Sequence, residues 1–219
     1  MNVFDIIGPV MIGPSSSHTA GAARIGKTAA LLLDSPAVKA DILFHGSFAK
    51  TYKGHGTDKA VVGGILGMDP WDSGIRTSLE TARETGLSVT IHTGTIDNAH
   101  PNTVLITLTD KTGHAISVQG ASVGGGNIEI TKINGMEVCF TGQHTTLIVT
   151  HQDVPGTIAD VTGLVAAHQT NICNFRLNRQ EKGGTAIMTI EMDSDFDKGL
   201  LSKIQALPAV HSAILMKLS

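Results

Sequence analysis

Cysteine is nearly absent from this chain, which has only Cys139 and Cys173 in 219 residues. Neither belongs to a C-x-x-C pair and both sit beside apolar residues, so they read as reduced core thiols of a cytoplasmic protein rather than as a disulfide framework. An excess of positive charge is also missing: 16 Lys and Arg stand against 19 Asp and Glu, for a net charge of -3. No basic face broad enough to follow a phosphate backbone can be built from that balance, and nucleic acid is not an expected partner. Long apolar runs are lacking as well. AALLL at 29–33 ends at Asp34, far short of the roughly 18 apolar residues of a membrane span. The first residues, MNVFDIIGPVMIGP, carry Asp5 where an export signal carries Lys or Arg, and Gly and Pro interrupt them. Neither a membrane nor an export pathway is expected.

What is present is a globular composition, 41% hydrophobic and 16% charged, on a chain long enough for two domains of ordinary size. Its character changes near residue 142, which sets expected domains at 1–141 and 142–219. In the second, TTLIVTH alternates as a strand does. VPGTIADVTGLVAAHQT places Ile158, Val161, Leu164 and Val165 at helical spacing. NICNFRLNRQ, EKGG and TAIMTIEM read as strand, turn and strand; 195–206 reads as a helix and AVHSAILMKL as a closing strand. The order βαββαβ predicts a ferredoxin-like split sandwich with two helices on one face of an antiparallel sheet. The first domain predicts α+β, with helices at Gly21–Leu33, 57–68 and 74–85 and strands at ADILFHGS, LSVTIHT, TVLITLTD and HAISVQGASV. NIEITKING and MEVCF suggest a hairpin about Asn134-Gly135. HGSFAKTYKGHGTDKA and VGGILGMDPWDSG are expected to be irregular, as loops that carry chemistry often are.

One stretch, GPSSSHTAGAARIGKTAALLL at 13–33, allows three readings. GAARIGKT matches the phosphate-loop pattern G-x-x-x-x-G-K-[ST], which would suggest an NTPase. Such a loop must follow directly on a buried strand, whereas SSSHTA precedes Gly21, and the match reads as accidental. A plain helix cap at Ser17, His18 or Thr19, with the helix starting near Ala20, is a second reading. It leaves unexplained why four hydroxyls and an imidazole crowd a helix N-terminus, where free N–H groups and the dipole favour an anion. Binding of a small carboxylate or phosphate is the third. A nucleophilic serine is disfavoured because no acid is placed to orient His18.

GPSSSHTAGAARIGKTA, HGSFAKTYKGHGTDKA and the later VGGGNIEI together resemble the beta chain of the bacterial iron–sulfur-dependent L-serine dehydratases, over essentially the whole chain. The resemblance implies a two-chain lyase whose alpha chain carries a [4Fe–4S] cluster and which converts L-serine to pyruvate and ammonia. Two cysteines cannot hold such a cluster, so no metal ligand is expected in this chain. A partner alpha chain would supply the cofactor. By the family motif, Ser15, Ser16, Ser17, Thr19, Gly56 and Thr57 become candidate substrate-binding residues and His18 and His55 candidate catalytic ones. An imidazole with an unperturbed pKa near 6.5 suits proton transfer, and Gly54 and Gly56 allow close approach; an exposed loop histidine would explain His55 equally well. His45 reads as structural. The Gly124-Gly125-Gly126 run could present amides to a carboxylate or simply turn the chain.

HQDVPGTIADVTGLVAAHQTNICNFR, from His151 to Arg176, resembles an ACT domain, the βαββαβ module that binds amino acids in metabolic enzymes, in agreement with the pattern reading. The resemblance implies pairing of copies and a regulatory amino acid, expected to be L-serine, near His151, Asp153, Pro155, Gly156 and Asn171. Pro155 and Gly156 also make an ordinary strand-to-helix turn. A stand-alone amino-acid-binding regulatory protein is the alternative from a different class.

Overall fold

Strands form where β-branched residues alternate, and helices where alanine, leucine and small residues recur at three and four. The computed structural model describes residues 11–13, 15–194 and 198–218. The segment 1–10 read for an export signal, Pro14, and the start of the helix expected from Asp195 lie outside the described residues. The chain divides into two compact units at the Gly135–Met136 bond, and the fold is α+β, as the sequence predicts.

In the first unit a π-helical turn, Ser16–Gly21, runs directly into α1 (Ala22–Leu33). Then come β1 (Ala37–His45), α2 (Gly46–His55), α3 (Thr57–Ile65), a 3₁₀ turn (Ser73–Thr77) and α4 (Ser78–Glu84). Strands β2 (Ser88–Gly94), β3 (Thr103–Asp110), β4 (Ala115–Gly124) and β5 (Asn127–Ile133) follow. The strand order is β2-β1-β3-β4-β5. Only β1 and β2 are parallel, because the helices α2 to α4 form the crossover between them. One residue in two along β1, β3 and β5 is buried (Ala40, Ile42, Phe44; Val104, Ile106, Leu108; Ile128, Ile130), and α1 lies against β4 at Gly120, where an added Cβ would come within 2.9 Å of Ile25.

HGSFAKTYKGHGTDKA, expected to be irregular, forms α2 and the first turn of α3. Gly46 and Gly56, both at positive φ (59° and 68°), bracket α2 rather than break it. The helix cap also differs from expectation. Ser15, not Ser17, His18 or Thr19, accepts the His18 backbone N–H at 3.4 Å, and it caps the π turn. GAARIGKT is helical almost throughout, which removes the phosphate-loop reading: its glycines serve packing, and Lys27 pairs with Asp69 at 2.6 Å. Gly124, Gly125 and Gly126, all at positive φ, turn β4 into β5. His45 is structural, accepting the Ile96 backbone N–H at Nδ1.

The second unit holds β6 (Met136–Phe140), β7 (Thr145–Gln152), α5 (Thr157–Ala167), β8 (Ile172–Arg179), β9 (Thr185–Met192), α6 (Lys198–Gln205) and β10 (Val210–Met216). Asn134 and Gly135, both at positive φ, make the turn between β5 and β6. The sheet order β10-β7-β9-β8, antiparallel throughout, is the predicted split sandwich. Its core joins Leu147, Val149, Met188 and Ile190 of the sheet to Val161, Val165, Leu200 and Ile204 of the helices. Ile158, expected in that stripe, is instead 43% exposed. The cysteines depart from expectation too. Cys139 is half-buried on β6, and Cys173 is exposed because β8 is an edge strand whose outer side chains face solvent.

Candidate functional site

The π turn places the SSSH hydroxyls around one imidazole. Widening the turn brings Ser15 and Ser17 to the same side as His18, whose Nδ1 lies 3.2 Å from Ser15 Oγ and 3.1 Å from Ser17 Oγ. The two hydroxyls are 3.2 Å apart, and Ser16 is half-buried at the start of the turn. From α2, Ser47 Oγ stands 3.5 Å from His18 Nε2, and Phe48 meets the ring edge-on at 5.1 Å. His18 is only 7% exposed. Burial, and then the neighbouring His55, hold its pKa below the ordinary value near 6.5, so at neutral pH the ring is uncharged and can accept a proton. Its hydrogen-bonding neighbours among the described residues are hydroxyls.

His55 closes α2 and packs edge to face on His18, the ring centroids 4.7 Å apart. The two motifs, distant in sequence, thus meet at one point. Thr19 Oγ1, His55 Nδ1 and Thr57 Oγ1 are buried without a hydrogen-bond partner among the described residues. Native interiors rarely leave such groups unpaired, and three of them on the two motif segments mark those segments as candidates to hold a ligand. Gly56, in the left-handed conformation, ends α2 and starts α3 beside His55, and at that terminus the Lys59 backbone N–H donates to the Asp58 carboxylate at 2.8 Å. A cleft of about 290 Å³ lies here, lined by Lys53, Gly54, His55, Gly56, Lys59 and Arg76, with Ile12 and Ile75 as its apolar wall. No carboxylate among the described residues lines it. Asp58 is next in sequence, and burial raises its pKa above the ordinary value. The positive rim and the helix terminus both favour an anion. Ser47, Phe48, Lys53, Lys59 and Arg76 were not singled out from the sequence. Only the lysines flanking GHGTD carried a local signal.

In the second unit, His151, Asp153, Pro155 and Gly156 stand together at the end of β7 and the turn into α5. His151 is buried, donating from Nδ1 to the Gln152 carbonyl at 2.7 Å, and its Nε2 has no partner among the described residues. Asp153 accepts from the Gly183 backbone N–H at 3.0 Å and from Arg179 at 2.9 Å. These contacts, in that order, lower its carboxyl pKa. Gly156 has φ +96°. Asn171 is not with them. It precedes β8, at the opposite end of the sheet, and donates from Nδ2 to Asp193 at 2.6 Å. Within one copy the five candidates therefore form a group of four and an outlier.

Comparison with known proteins bears on both units. The family model described as serine dehydratase beta chain matches residues 2–92, and the ACT domain model matches 145–209. The chain is 44% identical to the probable L-serine dehydratase, beta chain, of Bacillus subtilis, covering 95% of this chain and 94% of that one. It is 38% identical to the L-serine dehydratase, beta chain, of Peptoniphilus asaccharolyticus, covering 93% and 92%. A more distant likeness, 24% identity over 90% of this chain and 37% of the relative, is to a D-3-phosphoglycerate dehydrogenase of Bacillus subtilis. With 44% and 38% identity to two such chains over nearly its full length, this chain belongs to the family of L-serine dehydratase beta chains and carries an ACT domain.

Proposed function

We propose that the chain is one half of a two-chain L-serine dehydratase. A partner alpha chain brings a [4Fe–4S] cluster, L-serine loses water, and the enamine product tautomerises to an imine that water hydrolyses to pyruvate and ammonia. The cluster does not fit this chain's own residues: half-buried Cys139 and exposed Cys173 are its only thiols, and a four-iron cluster takes four cysteine-type ligands. This chain's share is the polar pocket. Ser15, Ser16, Ser17 and Thr19, with Gly56 and Thr57 at the α3 N-terminus, bind the substrate carboxylate under the field of Lys53, Lys59 and Arg76. His18 and His55 hold and move the proton. The observation that carries this reading is the His18–His55 contact at 4.7 Å, with His55 Nδ1 and, on the same two motifs, Thr19 Oγ1 and Thr57 Oγ1 buried without a partner among the described residues.

The test is kinetics of the reconstituted two-chain enzyme. His55→Ala is expected to lower kcat by roughly 10²–10⁴ with little change in KM, the effect of losing an acid or base. Ser17→Ala is expected mainly to raise KM. Unchanged kinetics in both variants, with normal melting curves, would place the active site wholly in the partner.

A second reading has its own support. The likeness to a protein named D-3-phosphoglycerate dehydrogenase, 24% identical over 90% of this chain, joins a related sequence to an enzyme named for a different reaction, which suits a regulatory amino-acid-binding module. On that reading the substitutions shift the L-serine concentration needed for activation and leave maximal turnover intact.

A further inference from the structure

At one end of the second unit's sheet three strands stop level. Thr145, opening β7, pairs with Met192 at the end of β9, and Met192 pairs on its other side with Ile172, opening β8. The residues next to this row are His144, Asp193 and Cys173. The register slips between Ile172 and Asn174, so Cys173 is the extra residue of a β-bulge, the device that re-aims a side chain on an edge strand. The ligand-type atoms of His144, Cys173 and Asp193 consequently lie within 4.8 Å of one another, all exposed. Asp193 is held in place by Asn171, whose carbonyl accepts its backbone N–H at 3.2 Å and whose Nδ2 donates to its carboxylate at 2.6 Å.

We propose that His144, Cys173 and Asp193 bind a borderline divalent transition metal, Zn²⁺ being the best fit, with a solvent molecule completing a tetrahedron. One imidazole nitrogen, one thiolate and one carboxylate oxygen suit zinc, whereas Mg²⁺ and Ca²⁺ take oxygen ligands. Ligand atoms around tetrahedral zinc stand about 3.3–3.8 Å apart, so side-chain rotation of exposed residues closes the site without moving the strands. On binding, the Cys173 thiol releases its proton to solvent and a metal–sulfur bond takes its place. Until then, partial desolvation and the Asp193 carboxylate push the thiol pKa up, keeping it protonated and unreactive. Asn171 is a positioning residue that orients Asp193 from behind. The bound metal ties together three segments of chain and stabilises the unit by linkage. None of these residues belongs to the His18–His55 cleft, and the inference stands apart from the proposed reaction.

The experiment uses the full chain, freed of metal by a chelator, kept anaerobic with a non-thiol reductant and titrated with Co²⁺ as a spectroscopic stand-in for zinc. One equivalent is expected to produce a sulfur-to-cobalt charge-transfer band with tetrahedral ligand-field bands, and Zn²⁺ should abolish them. Cys173→Ser should remove the charge-transfer band, and Cys139→Ser should keep it. Asn171→Ala should weaken Zn²⁺ binding by about 10–100-fold, and His144→Ala by at least as much. Absence of a charge-transfer band, or a band that survives in Cys173→Ser, would overturn the proposal. So would Zn²⁺ affinity unchanged in His144→Ala, a variant of an exposed residue expected to fold normally.

Discussion

Gly26 and Gly64 make the same contact from opposite sides. A Cβ on Gly26 would stand 2.2 Å from the Val61 carbonyl oxygen of α3, and one on Gly64 would stand 2.0 Å from the Ala23 carbonyl oxygen of α1. The obstacles are backbone atoms that cannot swing aside, so the two helices cross at glycine contact distance. Gly64→Ala is therefore expected to cost about 1–3 kcal/mol, the usual penalty for overpacking, read as a fall in unfolding free energy in urea. Gly163→Ala is the control. Its Cβ meets nothing within 4 Å on the exposed side of α5, and it should be neutral or stabilising by up to about 1 kcal/mol. Equal losses in the two variants would show that helix crossing is not what Gly64 provides. The glycines of GAARIGKT are explained by packing: Gly26 sits where α3 comes close and Gly21 where Ser122 of β4 does, and neither faces a phosphate.

Among the elements, the β3–β4 turn depends on one carboxylate. Asp110 accepts from the Thr112 hydroxyl at 2.7 Å, the Thr112 and His114 backbone N–H groups at 2.8 and 3.0 Å, and the Ser35 hydroxyl at 2.9 Å. These bonds, the Thr112 hydroxyl first, lower its pKa from 3.8 to about 2. A depressed carboxylate contributes stability that is fully present above its unfolded value and is lost as pH falls through the folded one. Asp110→Asn should thus be less stable at neutral pH and lose less than the wild-type chain between pH 3.8 and about 2, as melts across that range would show. Parallel acid profiles would sink the idea. The elements of the second unit are legible because apolar, β-branched runs bounded by turn residues mark the strands and a three-four stripe marks α5, although β7 and β9 are buried at nearly every position and Ile158 falls off the stripe. Helix α2 is not legible, because HGSFAKTYKGH is short, weakly patterned and bounded by glycines whose capping role needs the neighbouring chain to become visible. The candidate site divides in the same way. SSSH and GHGTD announce themselves locally, while Ser47 reaches the site from α2 and Arg76 from the 3₁₀ turn packed on α3, placements that no local pattern records. His144, Cys173 and Asp193 are assembled by strand register alone.

For the molecule as a whole, the ACT resemblance implies pairing of copies. The separation of Asn171 from the His151–Gly156 group fits a ligand shared between two copies better than one enclosed by a single copy. A shared ligand stabilises the pair by linkage. L-serine is therefore expected to tighten self-association of the full chain in sedimentation velocity, and Asp153→Asn to weaken the effect at temperatures where its melting curve shows the variant still folded. Self-association indifferent to L-serine would count against amino-acid regulation at this module. Chain length itself is constrained unevenly. Surface loops absorb insertions and deletions readily, but the π turn Ser16–Gly21 leads without a break into α1 and acts as a phase adjuster. Removing one residue there would restore ordinary helical winding and rotate everything before it by about 100° about the axis. The serines and His18 would swing away from Phe48 and His55 although every side chain survived. At this one place the count of residues, as much as their identity, encodes the site.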